Sequence, residues 1–293
     1  MDLATLEAHR RTVTTRRGEV SVLDLGTGPV ALFVHGVGTN SYLWRNVVAP
    51  VAPGRRVIAL DLPLHGRSPA PSDGDVSLAG LADTVEAVCE SLALGGVDLV
   101  AHDTGGAVAQ IFAARHPERL LTLTLTNCDT HDNVPPPAFQ PTVDLARAGQ
   151  LAPQAPDLLA DMAVARAAVF ASGYERPDDL DLDVVRAYLE PVLGTPERAR
   201  AFERLLVGLE PSDLLAVEPM LQHLTVPTLV VWGTGDEFFE LRWAYWLRDT
   251  IPGVTDVVEL EGAKLFFPDE RAADLVPLLL KHWQVVVRQG SRA

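Results

Sequence analysis

The sequence predicts an α/β protein, a mainly parallel twisted sheet flanked by helices on both faces, and three observations carry the prediction. Six short apolar runs read as buried strands: residues 30–34, 56–60, 97–101, 120–125, 227–232 and 254–260. Most are separated by helical patterns, and alternation of this kind implies parallel strands joined by crossover helices. Residues 77–92 show it most clearly, with Leu78, Leu81, Ala82, Val85, Cys89 and Leu92 recurring at helical spacing to make one apolar stripe. The chain has 293 residues, enough for one such core with an insertion.

In chain order, residues 11–15 and 19–25 flank Arg16-Arg17-Gly18 and predict a hairpin at the sheet edge. The 97–101 run leads through His102-Asp103-Thr104-Gly105-Gly106 into Ala107-Val108-Ala109, which reads as a strand, a tight turn of small residues and a helix. That is the shape of a nucleophile elbow. Glycines let the backbone pass close to the presented side chain, and the helix start aims free N–H groups at charge developing beside it. Here the presented side chain is Asp103. A carboxylate is already ionised at neutral pH and can attack an electrophilic carbon without first losing a proton. The plainer alternative is an aspartate capping the helix that starts near Gly105.

Between Asp129 and Gln222 the alternation stops, and Ala- and Leu-rich helical stretches follow the entry Pro135-Pro136-Pro137. This predicts a helical cap, 129–222, inserted into a core made of 1–128 and 223–293. Leu158, Leu159, Met162 and Val169 of the cap are candidates to line a pocket or to pack its helices together. Downstream, Val231-Trp232-Gly233-Thr234-Gly235-Asp236 ends a strand on a turn that presents Asp236.

Composition narrows the function classes. A formal net charge of −15 argues against nucleic acid or an anionic membrane as partner, each of which needs a basic surface. No run approaches the length of a membrane span, and residues 1–17 lack the apolar region of a secretory signal. Cys89 and Cys128 lie in apolar segments without metal-ligand spacing, as expected for buried free thiols in a reducing, cytoplasmic setting. Gly233-Thr234-Gly235 lacks the later glycine of a dinucleotide fingerprint. The expected partner is a small-molecule substrate, with no metal and no cofactor.

The motifs resemble the α/β-hydrolase superfamily over nearly the whole chain. His35-Gly36-Val37-Gly38-Thr39-Asn40-Ser41-Tyr42-Leu43-Trp44-Arg45-Asn46 and Ala101-His102-Asp103 are similar to its haloalkane dehalogenase and epoxide hydrolase branch, while Asp61-Leu62-Pro63-Leu64-His65-Gly66-Arg67-Ser68 and His116-Pro117-Glu118-Arg119 are further superfamily blocks. The resemblance implies Asp103 as nucleophile, the backbone N–H groups of Val37 and Thr104 as oxyanion hole, and Asp236 as the acid that orients a histidine. His35, Gly36 and His102 belong to the same motifs at the substrate side, the two histidines being expected to position backbone.

Three departures from the family pattern bear on mechanism. Val37 and Thr104 stand where haloalkane dehalogenases carry the Asn and Trp that hold the halide. Gly38 replaces the proline usual in epoxide hydrolases, leaving Tyr174 and Tyr188 as the cap residues that could protonate an epoxide oxygen. The catalytic histidine should lie within 261–270, and no histidine occurs there. Counting from Gly262-Ala263 puts Lys264 in that slot, and counting back from Asp269-Glu270 puts Leu265 there. Between two carboxylates Lys264 would stay charged, the wrong state for a base, although burial would push the other way. His131, a few residues past the strand ending near Thr126, is a further candidate base, whereas His223 and His282 read as structural or exposed.

Without a positioned base, turnover of an ester on Asp103 should slow by roughly 10²–10⁴-fold. The first expectation is therefore a cofactor-free enzyme acting on a small, mostly apolar molecule through Asp103 by lyase, cyclase or isomerase chemistry. A second is hydrolysis of an epoxide or ester with a substituted base. A third is a non-catalytic protein that binds a small molecule.

Overall fold

The computed structural model of the protein describes residues 1–290, with side chains through Gln284. Its strands are β1 (Arg10–Thr15), β2 (Gly18–Leu25), β3 (Val30–Val34), β4 (Arg56–Leu60), β5 (Val97–Asp103), β6 (Leu120–Cys128), β7 (Thr228–Gly233) and β8 (Val254–Leu260). They form one eight-stranded sheet in the order β1-β2-β4-β3-β5-β6-β7-β8. The first two strands make the expected antiparallel hairpin, and β2 also pairs antiparallel with β4. All other pairings are parallel.

This order places a functional site. The chain moves outward from β3 to β4, returns to β5 and then moves outward the other way, so the strand order reverses between β3 and β5. Loops leaving adjacent parallel strands in opposite directions open a crevice at their carboxyl ends. Val34 pairs with Ala101, and Ala101 with Leu125, so Gly36-Val37 and Asp103 emerge side by side at that crevice.

β5 and β6 run past the apolar stretches that announce them, to Asp103 and Cys128. Their last residues are polar yet stay in the ladder, because His102 bonds Thr126 across the pair and Asn127 bonds the backbone of Gly233. The striped segment is the helix Leu78–Ser91, started by Ser77, whose hydroxyl accepts from Gly80 N at 3.1 Å.

Between β6 and β7 lie six helices: Gln140–Arg147, Leu151–Ala160, Met162–Val169, Leu182–Leu193, Pro196–Val207 and Ser212–Leu221. The first five pack on one another, while the sixth lies on the helix Thr104–Arg115 beside the sheet. Two contacts tie them to the region after β8. Phe266 N donates to Gly173 O at 2.8 Å, and Tyr174 donates from its hydroxyl to Asp269 Oδ2 at 3.0 Å. Among the described residues, no helix is long and apolar enough to cross a membrane.

Candidate active site

Asp103 ends β5 with φ 57° and ψ −133°, a conformation that costs a non-glycine residue of order 1–3 kcal/mol. The surroundings hold it there. A Cβ on Gly36 would lie 2.1 Å from Asp103 Oδ1, and one on Gly105 would lie 2.3 Å from the His35 carbonyl oxygen, so glycine at both places lets two backbones close on the carboxylate. Asp103 Oδ1 accepts from Val37 N at 3.0 Å and from Thr104 N at 2.6 Å. The two amides assigned by resemblance to an oxyanion hole are therefore engaged by the aspartate itself. Among the described residues, none donates a hydrogen bond to Asp103 Oδ2.

The carboxyl group lies on the wall of a cavity of about 670 Å³ between the carboxyl ends of the strands and the helices that follow β6. Most of that wall is apolar: Val37, Phe238, Phe239, Leu265 and Phe266 from the strand side, and residues such as Leu158, Val169, Leu189 and Phe202 from the helices. Asp129, just beyond β6, lies on the same wall. It is 1% exposed, and its Oδ1 has no hydrogen-bond partner among the described residues.

Three carboxyl groups here are held above the ordinary carboxylate range. Burial raises Asp103 against the opposing pull of the Thr104 and Val37 amides. Asp129 is raised further, first by burial and then by the charge of Asp103, with the Thr104 hydroxyl acting the other way. In this desolvated site the charge of Asp103 thus favours the protonated form of Asp129. Asp236 is pushed up to about 7, chiefly by burial and secondarily by Asp103, while its hydrogen bonds oppose the shift. Those bonds come from Asn127 Nδ2 to Oδ2 at 2.6 Å and from Phe238 N to Oδ1 at 2.8 Å.

Other residues singled out from the sequence lie elsewhere. Lys264 points away from Asp103 and pairs with Glu237 at 3.3 Å, leaving Leu265 and Phe266 on the cavity wall. A lysine beside an accessible carboxylate gains more from hydration than it would inside an apolar wall. His131 bonds Glu218 at 2.8 Å and stacks on Trp246, with ring centroids 4.9 Å apart, on the side of the Ser212–Leu221 helix. Tyr174 and Tyr188 lie behind the wall in a buried network: Tyr188 accepts from Arg45 Nη1 at 3.0 Å, and Arg45 pairs with Asp269, which Tyr174 also contacts.

His35 and His102 are internal props of the backbone. Leu62 N donates to His35 Nε2 at 2.8 Å, so the ring proton is on Nδ1 and is donated to Gly36 O at 2.7 Å. His102 Nδ1 donates to Thr126 Oγ1 at 3.0 Å. Burial lowers His35 to about 4 and His102 to about 3, so both rings are neutral at pH 7. His223 bonds Pro219 O and His282 bonds Leu123 O. Among the described residues, no histidine lines the cavity.

Of the helix residues nominated for a pocket, Leu158 and Val169 line it, Met162 is buried and Leu159 is partly buried against the core. Sequence reasoning passed over Asn127 and Asp129. The signal available was their polarity at the end of a buried strand, where an unexplained polar residue has to be hydrogen-bonded or in use. Among the described residues, no cluster of three or more His, Cys, Asp or Glu side chains is placed to hold a metal ion.

A sequence model of the family described as alpha/beta hydrolase fold matches residues 29–270. A haloalkane dehalogenase of Mesorhizobium japonicum is 38% identical over 116 residues, covering 37% of this chain and 37% of that protein. The match thus spans just over a third of the dehalogenase. In fold, the chain is similar to an alpha/beta hydrolase fold protein from Burkholderia ambifaria, with TM-score 0.81 and 24% identity over 96% of this chain and 98% of that one. It is also similar to an epoxide hydrolase, with TM-score 0.77 and 18% identity over 94% and 99% of the respective chains.

Proposed function

The chain belongs to the alpha/beta hydrolase fold family, and from that premise we propose that it is a cofactor-free enzyme that takes a small, mostly apolar molecule beneath a helical cap and acts on it through Asp103 by proton transfer, in a lyase, cyclase or isomerase type of reaction. One observation carries the reading. Asp103 is pinned through Oδ1 to two backbone amides and leaves Oδ2 without a protein partner, on the wall of an apolar cavity.

Pinning one oxygen fixes the plane of the carboxylate, and desolvation makes the other oxygen more basic than it would be in water. Oδ2 can then take a proton from a C–H or O–H bond of a molecule held against Leu265 and Phe266. Ester chemistry is less well served. In the 261–268 loop, where the resemblance puts a water-activating imidazole, Leu265 and Phe266 offer hydrocarbon to the cavity, so an ester formed on Asp103 would have no imidazole to direct water at it.

Asp103→Asn tests this directly. The amide oxygen still accepts from Val37 and Thr104, so the fold and the cavity should persist while the base is lost. Conversion of small apolar compounds, followed by mass spectrometry, should fall by 10²-fold or more in the variant. Full activity of Asp103→Asn on any compound the wild-type protein converts would refute the proposal.

A second reading, hydrolysis of an epoxide or activated ester, is favoured by the same Oδ1 contacts. If Asp103 became an ester and water attacked it, those two amides would stabilise the resulting oxyanion. The partial similarity to a haloalkane dehalogenase points the same way. Under this reading an epoxide is released as diol at enzyme-like rates, whereas under the first it leaves a stable adduct on Asp103 and no diol.

A further inference from the structure

We infer that Asp129 is the proton donor of this site, delivering a proton from Oδ1 to an oxygen atom of the substrate while Asp103 Oδ2 accepts a proton or forms the new bond. The inference rests on the reading of Asp103 given above and adds a substrate class, molecules whose reacting group carries an epoxide, hydroxyl or carbonyl oxygen.

Asp129 is 1% exposed, lies on the cavity wall, and its Oδ1 has no hydrogen-bond partner among the described residues. A buried polar atom left unpaired costs roughly 1–3 kcal/mol, so its persistence calls for an explanation. Asn127 and Phe238 N serve Asp236, the amides of Val37 and Thr104 serve Asp103, and Gln110 Nε2 serves the Asp129 carbonyl; His102 Nε2 and Gln110 Oε1 nearby are also unpaired, but neither residue lines the cavity. Among the described residues that line the cavity, Asp129 Oδ1 is the fully buried side-chain oxygen left unpaired, beside the free Oδ2 of Asp103.

Its state follows from its neighbours. Asp103 is the charged group acting on it, no cation lies on the cavity wall among the described residues, and the Thr104 hydroxyl acts on both carboxyl groups. With Asp103 ionised by its two amides, Asp129 retains the proton. The arrangement is an acid and a base on one wall, with roles separated by their hydrogen bonds: the carboxyl that receives amides is the base, and the one without them is the acid.

The step balances without a co-reactant. In an elimination or isomerisation, Asp103 Oδ2 takes a proton from a substrate C–H or O–H bond, and Asp129 Oδ1–H gives one to the substrate oxygen, which leaves as water or becomes a hydroxyl. The pair finishes with the proton on Asp103, and its return to Asp129 past the Thr104 hydroxyl restores the starting state. With an epoxide, Asp103 Oδ2 bonds to a ring carbon, the ring C–O bond breaks, and the Asp129 proton ends on the freed oxygen as a β-hydroxyalkyl ester.

The test uses styrene oxide as probe, with mass spectrometry of the intact and digested protein and measurement of any diol. Wild type should carry the adduct on Asp103 or release diol, and Asp129→Asn should do so about 10²-fold more slowly. The infrared difference between wild type and Asp129→Asn at pH 7 should contain a protonated-carboxyl band, over and above that of Asp236, and this band should titrate at lower pH in the Asp103→Asn background, once the neighbouring charge is gone. Equal reaction of wild type and Asp129→Asn overturns the donor and leaves the Asp103 reading standing. An unreactive wild-type Asp103 removes that reading and the donor with it. Should Asp129→Asn not fold, an infrared titration unchanged by Asp103→Asn overturns the inference by itself.

Discussion

Replacing Asp236 by Asn should reshape the dependence of stability on pH. In the folded protein its carboxyl is pushed up to about 7, against 3.8 for an unperturbed aspartate, mainly because it is buried. The folded state therefore holds a proton that the unfolded state releases, and stability attributable to this group falls as pH rises. The contribution is complete below pH 4 and is lost as pH climbs through about 7. A difference of roughly 3 pK units at 1.36 kcal/mol each gives about 4 kcal/mol across that window. Asn cannot titrate. It keeps an oxygen to accept from Phe238 N or Asn127 Nδ2 and forfeits one of those two bonds, a penalty that does not vary with pH.

The assay is urea unfolding of wild type and Asp236→Asn at intervals from pH 4 to pH 8.5, plotted as the difference between them. Asp103 and Asp129 titrate in both proteins, so most of their contribution cancels and the difference is dominated by the substituted group and its smaller coupling to Asp103. Relative to wild type, the variant should gain about 4 kcal/mol between the ends of the range. A difference curve flat to within about 1 kcal/mol would refute the burial argument, because ionising a desolvated carboxyl group has to carry that cost.

Two further outcomes follow. Gly36→Ala places a methyl group 2.1 Å from Asp103 Oδ1 and should cost about 1–3 kcal/mol by thermal or urea unfolding, with at least a tenfold loss in styrene oxide labelling as the carboxylate is pushed off its amides. Lys264→Ala removes only a surface ion pair with Glu237 and should alter stability by no more than about 0.5 kcal/mol, with styrene oxide labelling unchanged.

What could be read from the sequence was whatever depends on local backbone demands. The elbow needs a strand, small residues and a helix in immediate succession, and 97–109 spells these out. The central parallel strands were legible because burial on both faces leaves continuous apolar runs, and the hairpin because its two runs flank the turn at Arg16-Arg17-Gly18. Asp129 was not legible, because its nearness to Asp103 is created by β5–β6 pairing and by a register shift at Asp103, which no local pattern encodes. The slot in the 261–268 loop stayed ambiguous between Lys264 and Leu265 for a related reason. The turn at Gly262, φ 70°, and the packing of Ala263 against Gly233 decide which side chain faces inward, and that packing joins segments about 30 residues apart. Tyr174 and Tyr188 suited proton donation by type, yet their partners Asp269 and Arg45 come from distant parts of the chain and draw them behind the wall.

The bond from Phe266 N to Gly173 O makes the floor and the roof of the chamber one mechanical unit. Any motion that shifts the stretch around Gly173 must either snap this latch or drag Phe266 along, and Leu265 sits one residue away. The position of that stretch and the lining beside Asp103 are consequently geared together: the one cannot travel far without remodelling the other.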